Sequence, residues 1–404
     1  MSEMRQVKRK IIVETTPELA FEAVTRDSEL REWCSDGAWT EVRPGGRFAL
    51  HWNSGYHVEG RFLELDVPHR AAVSWNGTGE PGETMVEFSV DETTEGHVEV
   101  TVAHRGFGPG TEWDGPLAEA EKGWEVGLDN LKSTLETGVD LRTARQPFLG
   151  INLDFLTPER AETEGIAAQY GIYVTGTVQG SGAEAAGLCN GDVIVALGGI
   201  ETPSFDTLGA ALRAHQAGDT VDVELVHGQE RRTTQVRLGQ RPQAEVPGTI
   251  EELAGRLDER QREVDEQLRA AVAGVTEEES EQCPEEGQWS VKQILAHLSD
   301  GERAGQVFLV NIAINGWLDA GPVSNEQNAG RLEAILAVTP TLQGLVDRLL
   351  ADEAETVEIL RRLPERTLAH KARFRRISQF MLLGPDHTRE HVEQIQRTVE
   401  AVRS

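Results

Sequence analysis

Cysteine is scarce in this sequence: Cys34, Cys189 and Cys283 are the three in 404 residues, far apart and without a CxxC pair. That argues against a disulfide framework and a cysteine-based zinc cluster, and it fits a reducing compartment, so a cytoplasmic location is expected. Long apolar runs are missing too. No stretch approaches the roughly 18 to 20 apolar residues of a membrane span. The opening MSEMRQVKRK leads into alternating residues, so no secretory signal is expected there. Positive charge is in short supply: 39 Lys and Arg stand against 68 Asp and Glu, a formal net charge of −29. Such a field repels phosphates and argues against nucleic acid as a partner. The densest basic cluster, His370-Lys371-Ala372-Arg373-Phe374-Arg375-Arg376, is expected to solvate one short segment or to pair with acidic neighbours. Low-complexity tracts and a fixed-period repeat are also absent, which leaves a globular composition too long for one ordinary core.

Three rhythms divide the chain into segments 1–142, 146–240 and 247–404, joined by short proline-bearing linkers, and predict a multidomain α+β architecture. In the first, Thr16-Pro17 reads as a helix start. Alternation of period two follows around Gly45-Gly46 and through His57–Trp75 and Thr84–Ala103, as in half-buried antiparallel strands. Trp124, Leu128, Leu131 and Leu135 then mark one face of a long helix that Gly138 should stop. The second segment carries turn pairs at Asn190-Gly191 and Gly198-Gly199, a short amphipathic helix over Ser204–His215, and an alternating strand over Val221–Leu225. The third is all helix. Thr249 with Glu252, and Ser290 with Gln293, read as capping boxes; Thr339-Pro340 and Pro385 or Asp386 read as further helix starts. Four amphipathic helices predict a four-helix bundle.

The first segment resembles the activator of heat-shock-protein-90 ATPase family through Thr16-Pro17-Glu18, Phe21-Glu22-Ala23-Val24-Thr25, Trp33, Pro44-Gly45-Gly46, Ser74-Trp75, His104-Arg105-Gly106-Phe107 and Gly123-Trp124. The resemblance implies a START-type helix-grip fold with a cavity between sheet and helix. Trp33, Trp52, Trp75, Phe107 and Trp124 are the candidate lining for a small hydrophobic ligand. The second segment resembles an HtrA-type PDZ domain through Phe148-Leu149-Gly150-Ile151, Gly180–Leu188 and Asn190-Gly191-Asp192-Val193-Ile194, with Gly182 where that family usually has proline. The departure is expected to loosen one turn. A β-barrel-like PDZ domain is implied, taking the C-terminal peptide of another protein. By resemblance Leu149, Gly150 and Ile151 form the carboxylate loop, while Leu208 and Leu212 border the side-chain pocket. No GxSxG or other serine-protease signature surrounds the segment, so binding rather than proteolysis is implied.

Histidine is the residue type with chemistry to offer. His51, His57, His69, His97 and His104 scatter over strands and turns and read as incidental, and His215 and His227 as surface residues. His297 differs, since it falls on the apolar face with Ile294 and Leu298. His387 and His391, four apart, stack on one helix face. Two imidazoles at that spacing and a third from a facing helix can hold one metal ion with a coordination position open. Gln288-Trp289-Ser290-Val291, Ile294–Leu298 and Asp386–Ile395 resemble the DinB family, whose four-helix bundles carry a divalent metal on three histidines in this pattern. The resemblance implies ligation by His297, His387 and His391, the ion being zinc, nickel or iron. The first expectation is therefore an intracellular binding or adaptor protein. The alternative is a metal-dependent enzyme, thiol transferase-like or hydrolase-like, with Asp300 and Glu302 close after His297 but no assigned general base.

Overall fold

Period-two alternation becomes a seven-stranded antiparallel sheet: β1 (Arg5–Val13), β2 (Gly37–Thr40), β3 (Arg47–His51), β4 (His57–Asp66), β5 (Arg70–Gly77), β6 (Thr84–Glu92) and β7 (Val98–Phe107). Their spatial order is β1-β7-β6-β5-β4-β3-β2. The computed structural model describes residues 4–285, 287–316 and 325–404. Helices α1 (Pro17–Thr25), α2 (Asp27–Trp33) and α3 (Asp114–Thr137) cover the sheet, and Leu30, Trp33, Phe48, Phe62, Phe88 and Leu131 fill the core between them. Local chemistry follows the sequence. Thr16 caps α1 by accepting from the Leu19 N–H, and Gly138 ends α3 at φ 72°, a left-handed conformation that favours glycine.

The middle segment carries α4 (Leu141–Ala144), β8 (Pro147–Phe148), β9 (Ile151–Phe155), α5 (Pro158–Thr163), β10 (Ile172–Thr177) and α6 (Gly182–Ala185). It continues with β11 (Asp192–Leu197), β12 (Ile200–Glu201), α7 (Phe205–Arg213), β13 (Thr220–His227), β14 (Glu230–Arg237) and β15 (Gly239–Gln240). Its main sheet runs β14-β13-β11-β10-β9, so β9 ends that path, with β12 paired to β11 and β15 to β8. At Gly182 the structure shows a packing reason for glycine. A Cβ there would lie 1.8 Å from the Arg237 carbonyl oxygen, so glycine lets α6 press against β14.

The third segment is α8 (Ile250–Val272), α9 (Glu277–Glu281), α10 (Val291–Asn315), α11 (Asn325–Val338), α12 (Leu342–Arg361), α13 (Arg366–Ala369) and α14 (Lys371–Arg403). The four long helices α8, α10, α12 and α14 form the bundle. Two helix starts differ from the sequence reading. Thr341, not Thr339, caps α12, accepting from the Gly344 N–H, while the Pro340 carbonyl accepts from buried Lys292. Helix α14 begins at Lys371 and runs through Pro385. A proline inside a helix removes one backbone hydrogen bond. The helix continues because its two halves are pinned separately, Phe374, Ile377 and Met381 in one apolar cluster and Val392, Ile395 and Val399 in another. Ser290 and Gln293 form the capping box expected. Glu252 instead reaches back one residue further, to the Gly248 N–H, while Thr249 caps α8.

By Cα packing the chain divides into two compact units, Met1–Val139 with Glu245–Ser404, and Asp140–Ala244. Within the first, the basic cluster finds its acids far away in sequence. Arg373 pairs with Glu29, Arg376 with Glu32, and His370 lies 3.5 Å from Glu22 and 3.4 Å from Glu29. Burial alone would raise Glu29; His370 and Arg373 outweigh it and hold the carboxyl at about 2. Among the described residues no single helix is long and apolar enough to cross a membrane.

Candidate functional site

A polar belt crosses the bundle. Along α8, Gln261 separates Leu257 from Val264; along α10, Ser299 and Glu302 separate Leu298 from Leu309; along α12, Asp352, Glu353 and Thr356 separate Leu349 from Leu360. Ser299 and Arg303 bond the Asp352 carboxylate, and Thr356 donates to Glu302. Burial pushes the Glu302 carboxyl up, and the Asp352 charge adds to the effect. Asp300, the other acid after His297, is ion-paired with Arg331 at 2.6 Å.

Next to this belt the structure brings the three histidines of the sequence reading together. His297 comes from α10, His387 and His391 from successive turns of α14, and one ring nitrogen of each lies within 4.8 Å of the others. The Nε2 atoms of His387 and His391 are 3.2 Å apart. His391 Nδ1 is 2.7 Å from the Gln394 amide oxygen. An amide oxygen only accepts, so Nδ1 carries the proton and Nε2 turns a lone pair toward its neighbours. Burial lowers His297 to about 4, and the nearby His391 and His387 rings lower it further in the same direction. His387 is lowered for the same reasons, desolvation first and His391 second. Gln394 was not singled out in the sequence; its signal is a polar residue three positions after a histidine, on the same helix face.

A hollow of about 310 Å³ opens beside this cluster, with His387, Glu302, Thr356 and Gln261 among its lining residues. A second hollow, of about 320 Å³, lies in the first segment between sheet and α3. Trp33, Trp52, Trp75 and Trp124 line that one, as the sequence reading had it. Phe107 does not; its fully buried ring packs on His104 and Trp113. Sequence reasoning missed Tyr56, Glu80 and His104 in the wall. Tyr56 donates to Glu80 at 2.7 Å, and burial, reinforced by Glu80, pushes the phenol well above its ordinary range.

In the middle unit, Leu149, Ile151, Leu208 and Leu212 join one apolar cluster. Gly150, between the first two, has φ 87°, and a Cβ there would meet the Ser181 side chain at 2.1 Å. Its carbonyl accepts from Val178 N–H and Ser181 Oγ. Phe155 of β9 and Phe205 of α7 stack at 3.9 Å between ring centroids. Cys189, Asp192 and His227 also converge, but buried Asp192 is matched by Arg232 at 3.1 Å, which opposes a cation there.

These three architectures, a helix-grip sheet domain, a PDZ domain and a helical bundle, are the classes that family models find in the same order. Activator of Hsp90 ATPase homolog 1-like protein matches residues 14–136, PDZ domain 147–238 and DinB superfamily 260–395. Curated relatives include HhoB of Synechocystis sp., which carries a serine-protease name, 25% identical over 30% of this chain and 31% of its own length. Another is a DegP-like protein of Rhizobium meliloti named a probable periplasmic serine endoprotease, 29% identical over 29% of this chain and 22% of its own. The chain thus spans about a third or less of the length of these relatives. Similar solved structures include the Aha1 dimer from Colwellia psychrerythraea, 22% identical, covering 33% of this chain and 97% of that one at TM-score 0.29. An HSP90 activator from Plasmodium falciparum is 24% identical, covering 32% and 95%, at TM-score 0.28.

Proposed function

We propose that this chain is a multidomain binding protein whose bundle holds one divalent metal ion on His297, His387 and His391. The observation that carries the reading is the Nε2 separation of 3.2 Å between His387 and His391. Two nitrogens about 2.0 to 2.1 Å from one ion, at tetrahedral or octahedral angles, stand about 2.8 to 3.4 Å apart. Gln394 supports it by fixing the tautomer that leaves Nε2 free, the usual duty of a residue behind a metal-bound histidine. Zinc, nickel and iron all accept imidazole, and three neutral ligands would leave a position for water or a ligand. The test is elemental analysis of full-length protein loaded with each metal. One ion per chain is expected in the wild type and in His215→Ala, and a loss of most of it in His391→Ala. Unchanged content in His391→Ala removes the site.

The binding role rests on the other two segments. The edge strand β9 can accept a peptide as an added strand, with the Leu149-Gly150-Ile151 loop at the terminal carboxylate and Leu208 and Leu212 beside the last side chain. The aromatic hollow of the first segment suits a small hydrophobic ligand. A C-terminal peptide with an apolar last residue should bind at about micromolar Kd, roughly −8 kcal/mol. Its C-terminal amide should bind at least tenfold more weakly; equal binding by both counts against the groove. A second reading, a metal-dependent enzyme of thiol transferase-like or hydrolase-like type, is favoured by one observation. Glu302, a carboxyl pushed toward its neutral form, shares a hollow with His387.

A further inference from the structure

The hollow beside the histidines is not a packing defect of the usual kind. Two glycines one turn apart on α10, Gly301 and Gly305, border it. Glycine inside a helix costs about 0.5 to 1 kcal/mol relative to alanine, and close helix packing does not require it here. A Cβ at 301 would meet nothing within 4 Å, and one at 305 would meet only the Phe380 ring edge at 3.6 Å. What the glycines do is keep space open between α10 and α14. Leu257, Leu298, Phe380 and Met381 make the walls apolar.

The polar groups inside point to a ligand. Gln261 is 8% exposed and lines the hollow, yet among the described residues its amide has no hydrogen-bond partner. An amide that lines a hollow without a protein partner is suited to a ligand's polar group. Glu302, already bonded to Thr356, supplies a second polar contact, its carboxyl pushed up by burial. A volume of about 310 Å³, apolar walls, few polar groups and one histidine of the cluster in the lining are the makings of a small-molecule site.

We propose that this hollow binds a small amphiphile, an apolar acyl or aryl tail lying between α10 and α14 and an anionic, metal-binding head directed to the His297–His387–His391 centre. The proposal rests on the metal reading above. Three neutral imidazoles leave the ion its full positive charge, which selects an anionic head in a protein whose overall charge of −29 would otherwise repel one.

Alkyl hydroxamates are the probe, because their head chelates zinc and their tail length can be varied. Binding of acetohydroxamate and hexanohydroxamate to the full-length, zinc-loaded protein is measured by calorimetry, with zinc content measured on the same samples. Four more buried methylenes should tighten binding on the order of 100-fold. Gly305→Leu, whose side chain would grow toward Phe380, should abolish that gain while leaving acetohydroxamate affinity and zinc content unchanged. Gly301→Leu is a second filling variant, and both replace glycine with a better helix former. Zinc bound at one per chain with equal affinities for both hydroxamates overturns the hollow and leaves the metal reading standing. A chain-length gain that survives both leucine variants places the tail elsewhere, for example in the first segment's hollow, and also overturns it. Zinc absent from the wild type overturns the metal reading and this proposal together.

Discussion

His104 in the sheet domain and His297 in the bundle are both held well below the usual imidazole range, one to about 3 and the other to about 4, yet they do different things. At His104 every valence is spoken for. The Trp124 indole N–H donates to Nδ1 at 3.2 Å, so Nε2 carries the proton and faces Thr84 Oγ1 at 2.7 Å. The Thr84 hydroxyl in turn donates to the Trp75 carbonyl. A neutral imidazole completes this chain; a second proton would be aimed at an N–H. At His297 burial acts together with two neighbouring rings, and the nitrogens converge on common space instead of on partners. Depressed basicity by itself therefore does not mark a ligand. Where the lone pairs point does.

The largest effect that would break this contrast is on stability. His104→Ala removes a fully packed ring and orphans the Trp124 N–H, and should destabilise the first segment by roughly 3 kcal/mol in denaturant melts followed by tryptophan fluorescence. His297→Ala in metal-free protein should change stability by less than about 1 kcal/mol, because its ring is only partly buried. Similar losses at both positions would make His297 another structural histidine. Acid gives the next test. His104 has a folded pKa below its ordinary 6.5, so its contribution is complete above pH 6.5 and is lost as pH falls toward 3, at about 1.4 kcal/mol per pH unit. His297 acts with the same sign between 6.5 and about 4. Bound zinc should hold His297 unprotonated to lower pH and leave the His104 loss unmoved, which melts across that range with and without zinc would separate.

How much of this was legible beforehand depends on the range of the interaction. Caps at Thr16 and Ser290 and the stop at Gly138 are local hydrogen-bond and backbone effects, and the sequence carries them openly. Spacing likewise brought His387 and His391 onto one face. The α14 start was misread because Pro385 has the signature of a first-turn proline, and only packing on both sides of it overrides that signal. Phe107 joined the cavity list because alternation gives a side of the sheet but not a depth. Of the belt, Glu302 stood out only by its nearness to His297; Gln261, Glu353 and Thr356 were hidden, since polar residues on an amphipathic helix ordinarily mean solvent. The pairing of Arg373 with Glu29 spans 344 positions, a separation at which charge patterning along the chain carries no information.

The smallest expected effects test the partners instead of the histidines. Thr84 and Gln394 play formally equal parts, each taking one ring N–H, at 2.7 Å in both cases. Thr84→Val keeps the shape but leaves a buried N–H without its acceptor and removes one donor from the Trp75 carbonyl. A loss of about 1 to 2 kcal/mol in the first segment's stability should follow, with metal content unchanged. Gln394→Ala exposes its histidine proton to solvent at the bundle surface, so metal-free stability should shift by no more than about 0.5 kcal/mol. Its effect belongs to the ion: without the amide the His391 ring loses its fixed tautomer, and metal affinity should fall about tenfold in a competition titration against a chromophoric chelator. Should Gln394→Ala instead lower metal-free stability as much as Thr84→Val and leave affinity untouched, the three histidines would be a hydrogen-bonded cluster of the His104 kind. The difference between the two regions would then be one of crowding alone.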